Sequence, residues 1–276
     1  MKSQFFFLLI LIFSFSAFPW GRVGHETVAF IASQNLSPKT AAAINPLLVG
    51  QTLVQVSTWA DEIKPHRRST APWHYINLPV CQPILVSDIP RYFANQGHTK
   101  DDNVICQIKI DISLLKSGRG SLQEREYALW FLVHFVGDLH MPLHIADDND
   151  RGGNSKQVRF FSPTSRSNKG HVTNLHSLWD NLIEIKAAED PAVLGNRLNT
   201  MLNPSQTKKW STGSIEDWSL ESYTLAKSAI YPDMNPGADF SILKRSYYSQ
   251  MRPLVDEQLE KAGIRLAFLL NNIFDP

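Results

Sequence analysis

Cysteine is scarce: Cys81 and Cys106 are the only two in 276 residues. That excludes a disulfide-dense small fold and a thiolate-built zinc site. Charge of one sign is lacking as well. Lysine and arginine (27) nearly balance aspartate and glutamate (26). A broad basic surface for duplex DNA is therefore excluded, because such affinity comes mainly from phosphate neutralisation. A small, metal-centred phosphate site remains open. There is no internal repeat, no linker-like stretch and no run of alternating strands, so one all-α domain is expected.

Long apolar runs are missing except at the N-terminus. MKSQ carries one positive charge, and FFFLLILIFSFSAF follows it. That stretch is shorter than the roughly 20 residues of a membrane helix. Residues 1–19 read as a secretory signal peptide, leaving a mature catalytic chain 20–276 that is secreted or periplasmic. An uncleaved anchor is the alternative. In an exported chain an even pair of cysteines suggests a Cys81–Cys106 disulfide, worth about 3 kcal/mol in the chain-entropy model. Two buried thiols are the alternative.

What is present is mostly helical pattern. Ser37-Pro38 reads as an N-cap and first-turn proline. Leu53, Val56, Ala60 and Ile63 recur at helical spacing. Residues 65–79, with three prolines, read as an extended connection. Residues 121–141 form a helix apolar nearly all round, hence central and buried, which Pro142 ends or kinks. Residues 147–174 read as loop with a short hairpin around QVRFF and HVT, and residues 175–188 as helix. Ser214 and Asp217 resemble a capping box opening a helix to Ile230, and residues 252–271 read as a last helix.

Some polar residues do not belong in such a core. Asp138 lies four residues after His134, about 40° around a helix, so the two share an apolar face. A lone buried carboxylate is costly and neutralises or finds a partner. A metal is one such partner, and a buried His–Asp hydrogen bond is another. The spacing recurs at His176 and Asp180. His144 lies beyond Pro142 and is expected to reach a different point in space. Asp61 has Lys64 one turn later, His74 follows a tryptophan, and His25 lies near the mature start. Imidazole with carboxylate suits zinc, ahead of manganese or iron. His140 falls about 240° from His134 and is expected to support the site or the core rather than ligate.

Together these residues resemble the class I zinc-dependent nucleases: fungal single-strand nucleases, plant bifunctional nucleases and microbial 3'-nucleotidases. The resemblance rests on Trp20-Gly21 with His25, on Trp59-Ala60-Asp61 with Lys64, and on Trp73-His74-Tyr75-Ile76-Asn77. It continues in His134-x3-Asp138-x5-His144, Asp150-Arg151-Gly152-Gly153-Asn154, His176-x3-Asp180-Asn181 and Ala262-Gly263-Ile264-Arg265-Leu266-Ala267. It implies three zinc ions at the bottom of a cleft. Asp61, His74 and His134 would hold one. Asp138 would bridge to a second, held by His25 and by the free amine and carbonyl of Trp20. His144, His176 and Asp180 would hold the third. A hydroxide shared by the bridged pair would attack phosphorus in line. Lys64 and Asn181 match phosphate-contacting positions, and Tyr75 matches the base-stacking aromatic. Single-stranded DNA and RNA and 3'-mononucleotides are the implied substrates, and a monomer needs no protein partner. Arg151 and Asn154 receive no role.

Ligation by the Trp20 amine requires cleavage just before it, at Pro19, where small residues are usual. Cleavage after Ala17 would remove that ligand. Two other readings compete. A zinc phospholipase C has a similar fold, but it tends to close its cluster with glutamate where this chain has Asp180. A non-enzymatic zinc-stapled protein explains the ligands but not Lys64, Asn181 and Tyr75.

Overall fold

Helix dominates, as the apolar spacing predicts. The computed structural model describes residues 20–93, 101–164, 169–182, 190–234 and 240–276. The helices are α1 (Arg22–Gln34), α2 (Pro38–Ile44), α3 (Leu53–Val56), α4 (Trp59–Ile63), α5 (Val104–Ser117) and α6 (Leu122–Leu139). They continue with α7 (Pro142–Ile145), α8 (Leu175–Asp180), α9 (Pro191–Met201), α10 (Pro204–Trp210), α11 (Ile215–Leu225) and α12 (Arg245–Phe274). Five short strands join them: β1 (Leu78–Pro79), β2 (Ala146–Asp147), β3 (Gln157–Phe160), β4 (His171–Asn174) and β5 (Phe240–Leu243). No described helix is long and apolar enough to cross a membrane. The signal-peptide reading of residues 1–19 lies outside the described residues.

Helix α6 is the axis. A reciprocal cap starts it: the Ser121 hydroxyl accepts from the Glu124 amide, and the Glu124 carboxylate accepts from the Ser121 amide. From Ala128 to Leu139 every residue is buried. Helices α5, α1, α4, α3 and α12 pack around it. Its first turn is exposed, but its C-terminal end must satisfy its polar groups inside the protein. The chain leaves α6 at His140, and Pro142 opens the one-turn α7. The proline therefore starts a new helix as well as ending the old one. Its missing N–H costs nothing at a first helical position.

Helix α1 docks on both α6 and α12. Gly263 permits the close approach to α12: a Cβ there would lie 2.5 Å from the Ile31 side chain. Ser37 and the Ser214–Asp217 box cap their helices as the sequence predicts. Helix α11 gives way to a π-helical turn at Ala226–Ile230.

Several segments depart from expectation. Residues 65–79 are not simply extended, because Arg68–His74 winds into a 3-10 helix through Pro72. The predicted hairpin is present as the antiparallel pair β3–β4, and β5 adds a parallel third strand to β3. Strands β1 and β2 pair in parallel. The last helix begins at Arg245, with Pro253 inside it. Helix α8 stops at Asp180, and residues 183–189 of the predicted helix lie outside the described ones.

The Cys81–Cys106 bridge does not form: Cys81 is an exposed thiol and Cys106 a buried one. Cys106 sits in the first turn of α5, its amide held by the Asn103 cap, while Cys81 lies in the turn after β1. An even count says nothing about such orientation.

Candidate metal centre

Six elements deliver eight histidine and aspartate side chains to one place. Helix α6 supplies His134 and Asp138, one turn apart and fully buried. Helix α1 supplies His25, α4 supplies Asp61, and the 3-10 helix ends on His74. Helix α7 adds His144, and α8 adds His176 and Asp180.

Asp138 is the hub. Its Oδ2 lies 2.9 Å from His74 Nδ1 and 3.2 Å from His134 Nε2. Its Oδ1 lies 3.5 Å from His25 Nε2 and 3.3 Å from His144 Nδ1. The two oxygens thus face two different sets of imidazoles. His144 is nearer to Asp138 than its position beyond the proline suggested, because the chain turns at His140 and Met141 and α7 packs on α6. Three groups of donor atoms converge closely enough to hold metal ions: His25–His134–Asp138, Asp61–His74–His134 and His144–His176–Asp180.

Backbone carbonyls fix the imidazoles. His134 Nδ1 donates to Ser57 O (2.7 Å), and His176 Nδ1 donates to Gly152 O (2.7 Å). Each bond leaves Nε2 as the inward-facing lone pair. His25 stacks on His134 with 3.8 Å between ring centroids, and His144 on His176 at 5.1 Å. Gly137 makes the first stack possible, since a Cβ there would lie 2.8 Å from His25 Nδ1. A glycine inside an apolar helix was the one sequence signal of this close approach.

The electrostatics call for cations. Burial, with Asp61 and Asp138 nearby, pushes the Asp180 carboxyl well above the usual carboxylate range. Burial also opposes charge on Asp138, yet His134 and His144 hold it well below that range. Burial lowers His134 too, but Asp138 and Asp61 raise it overall. Burial lowers His74 to about 4 and His176 to about 3, so both are neutral and able to ligate at pH 7. Asp138 Oδ1, His144 Nδ1 and both Asp180 oxygens are buried without a hydrogen bond of ordinary geometry. Such orphaned atoms are rare and demand an explanation. Imidazole and carboxylate donors converging on them fit metal ions.

Trp20 is fully buried beside the cluster. Its indole donates to Gly137 O (2.9 Å), and the Gly21 amide donates to Asp180 O (2.8 Å). The Trp20 backbone amide lies close enough to Asp180 to ease its charge.

Comparison with known proteins fits this geometry. The family model described as S1/P1 Nuclease matches residues 20–275. The chain belongs to the S1/P1 nuclease family. It is 32% identical to Endonuclease 4 of Arabidopsis thaliana, over 92% of this chain and 89% of that one. It is 30% identical to Nuclease S1 of Aspergillus oryzae, over 92% and 91%. It is 26% identical to Nuclease P1 of Penicillium citrinum, over 92% and 97%. As an S1/P1 nuclease the chain is a hydrolase that acts on nucleic acid.

A cleft with a volume of about 260 Å³ opens over the cluster, and His74, His144 and His176 line it. Lys64 and half-buried Tyr75 line it as well. Lys64 Nζ donates to Asp61 Oδ1 at 2.6 Å, which ties a cleft cation to a cluster carboxylate. Asn181 is not among the lining residues: it is exposed at the end of α8, and its amide donates to Ser177 O (2.7 Å). Arg151 and Asn154, left without a role by sequence reasoning, do line the cleft.

Proposed function

We propose that the chain, exported and cleaved before Trp20, is a monomeric single-domain zinc nuclease. It hydrolyses single-stranded RNA and DNA to 5'-phosphate products and releases phosphate from 3'-mononucleotides. One observation carries this reading: the two oxygens of Asp138 face separate imidazole sets at the floor of a cleft lined by Lys64 and Tyr75. Asp61, His74, His134 and Asp138 would hold one zinc ion. His25, Asp138 and the Trp20 amine and carbonyl would hold a second. His144, His176 and Asp180 would hold the third. When bound, the ions supply Lewis acidity and a nucleophile at neutral pH.

The remaining work falls to side chains. Lys64, kept in place by Asp61, offsets the charge that develops on the phosphoryl oxygens. Tyr75 stacks a base, which any base can satisfy but a paired base cannot without leaving its duplex. The near-neutral net charge adds no general attraction for duplex. Asn181, next to Asp180, would reach the phosphate only by giving up its bond to the Ser177 carbonyl.

The test is metal analysis of the purified mature protein together with cleavage of denatured and duplex DNA. About three zinc ions per chain and a strong preference for denatured DNA are expected. Absence of zinc after zinc-replete purification, or equal cutting of duplex, overturns the reading.

A further inference from the structure

Arg151 stands out in the cleft wall. It is exposed, yet its backbone sits in the left-handed region at φ 61°. A bulky residue there is an outlier, and such strain persists only where the surroundings over-determine it. They do so here. Asp147 Oδ1 accepts from the Asp150 amide (2.9 Å) and the Gly152 amide (3.1 Å), and Asp150 Oδ1 accepts from the Gly153 amide (2.8 Å). Asn154 donates to Arg151 O from its side chain (2.9 Å) and its backbone (3.3 Å). The loop is locked against α7 as well, because a Cβ on Gly152 would lie 2.2 Å from Leu143 O.

The loop turns the Asp147 and Asp150 carboxylates onto its own amides and leaves Arg151 on the cleft wall. No ion pair joins the Arg151 guanidinium to a carboxylate among the described residues. Lys64, the other strong cation of the lining, is already bound to Asp61. No carboxylate lines the cleft. The guanidinium is close enough to Tyr75 to act on the phenol electrostatically. A planar, permanently charged fork beside a stacking ring suits a phosphate oxygen. The scissile phosphate belongs over the cluster, so this cation serves another one.

We infer that Arg151 forms a second phosphate subsite, which binds the phosphodiester next to the nucleotide stacked on Tyr75 and so favours oligonucleotides over mononucleotides. Asn154, Asp147 and Asp150 are its positioning residues. This rests on the nuclease reading above. A 3'-mononucleotide has a single phosphate, which goes to the cluster, and Arg151 gains nothing from it.

The test uses Arg151→Asn, since asparagine tolerates the left-handed backbone and keeps the loop folded, with Arg151→Lys as the charge-keeping control. KM and kcat are measured on a short oligothymidylate and on a 3'-mononucleotide over a range of salt. Binding of a nuclease-resistant phosphorothioate oligothymidylate is followed by anisotropy. For Arg151→Asn, a rise of roughly tenfold in oligonucleotide KM is expected, corresponding to one charged contact. The salt slope should fall by about 0.7, phosphorothioate binding should weaken in step, and mononucleotide kinetics should stay within about twofold. Arg151→Lys should keep the salt slope. Equal losses on both substrates, or an unchanged slope, overturn the subsite. Wild-type protein that neither cuts nor binds either nucleotide overturns the nuclease reading itself.

Discussion

Helix α6 ends between two buried polar clusters. On one side, His134 and Asp138 meet His25, Asp61, His74 and His144, with Asp180 and His144 left holding orphaned atoms. On the other, His140 Nδ1 donates to Val136 O (2.7 Å), and Arg265 donates to His140 Nε2 (2.9 Å). Arg265 also donates to Glu221 (2.8 Å) and lies 4.9 Å over the Trp218 ring. Gln258 and Ser222 satisfy the carbonyls of His140 and Leu139. Both clusters contain a fully buried histidine, one from α6 and one from its C-cap. Burial therefore does not distinguish a ligand from a strut. What distinguishes them is whether the protein completes the hydrogen bonding by itself.

The difference can be tested, beginning with the largest effect. His134→Ala should cut nuclease turnover by more than about 100-fold and lower bound metal, because His134 belongs to two of the donor groups. Wild-type turnover with full metal content would sink the assignment. Removing metal from the intact protein should lower Tm by about 10 °C, given roughly 4 kcal/mol for a ligand present at a thousandfold its Kd. Calorimetry with and without chelator measures this, and an unchanged Tm would show that the first cluster satisfies itself after all.

Arg265→Ala attacks the second cluster. It should cost about 2–4 kcal/mol through lost packing on Trp218 and an orphaned His140. Metal content and activity per folded molecule should stay near wild type, and a loss of metal would merge the two clusters into one system.

The smallest effect concerns Glu260 on α12. Burial, with Asp256 and Glu257 beside it, pushes its carboxyl up to about 7. The folded state therefore keeps a proton that the unfolded chain releases near 4.5. Stability falls as pH rises between those values, and the penalty is complete above 7. Glu260→Gln should raise Tm slightly at pH 8 and not at pH 4, the side chain being solvated enough to screen much of the effect. Equal Tm at both pH values would remove this group from the account.

Much of this was legible in the sequence. Helical phase put His134 and Asp138 on one face, and the repeated spacing at His176 and Asp180 pointed to a second cluster wall. The capping serines at 37 and 214 work as read. The backbone partners were hidden, because nothing in a side-chain pattern shows that Ser57 O and Gly152 O orient two imidazoles. The parallel pairings β1–β2 and β3–β5 join segments far apart in the chain, and strands of 2 and 4 residues carry no periodicity to detect. The cysteine pairing failed because count and compartment say nothing of direction. Arg151 was visible in its motif, but its left-handed backbone and its place in the cleft wall were not.

The contact of Gly263 with Ile31 also ties the metal centre to a distant stretch of chain. Helix α1 carries His25, and α12, one of the surfaces it seats against, begins only at Arg245. A side chain at Gly263, remote in sequence from every residue of the cluster, would push directly on the helix that carries His25.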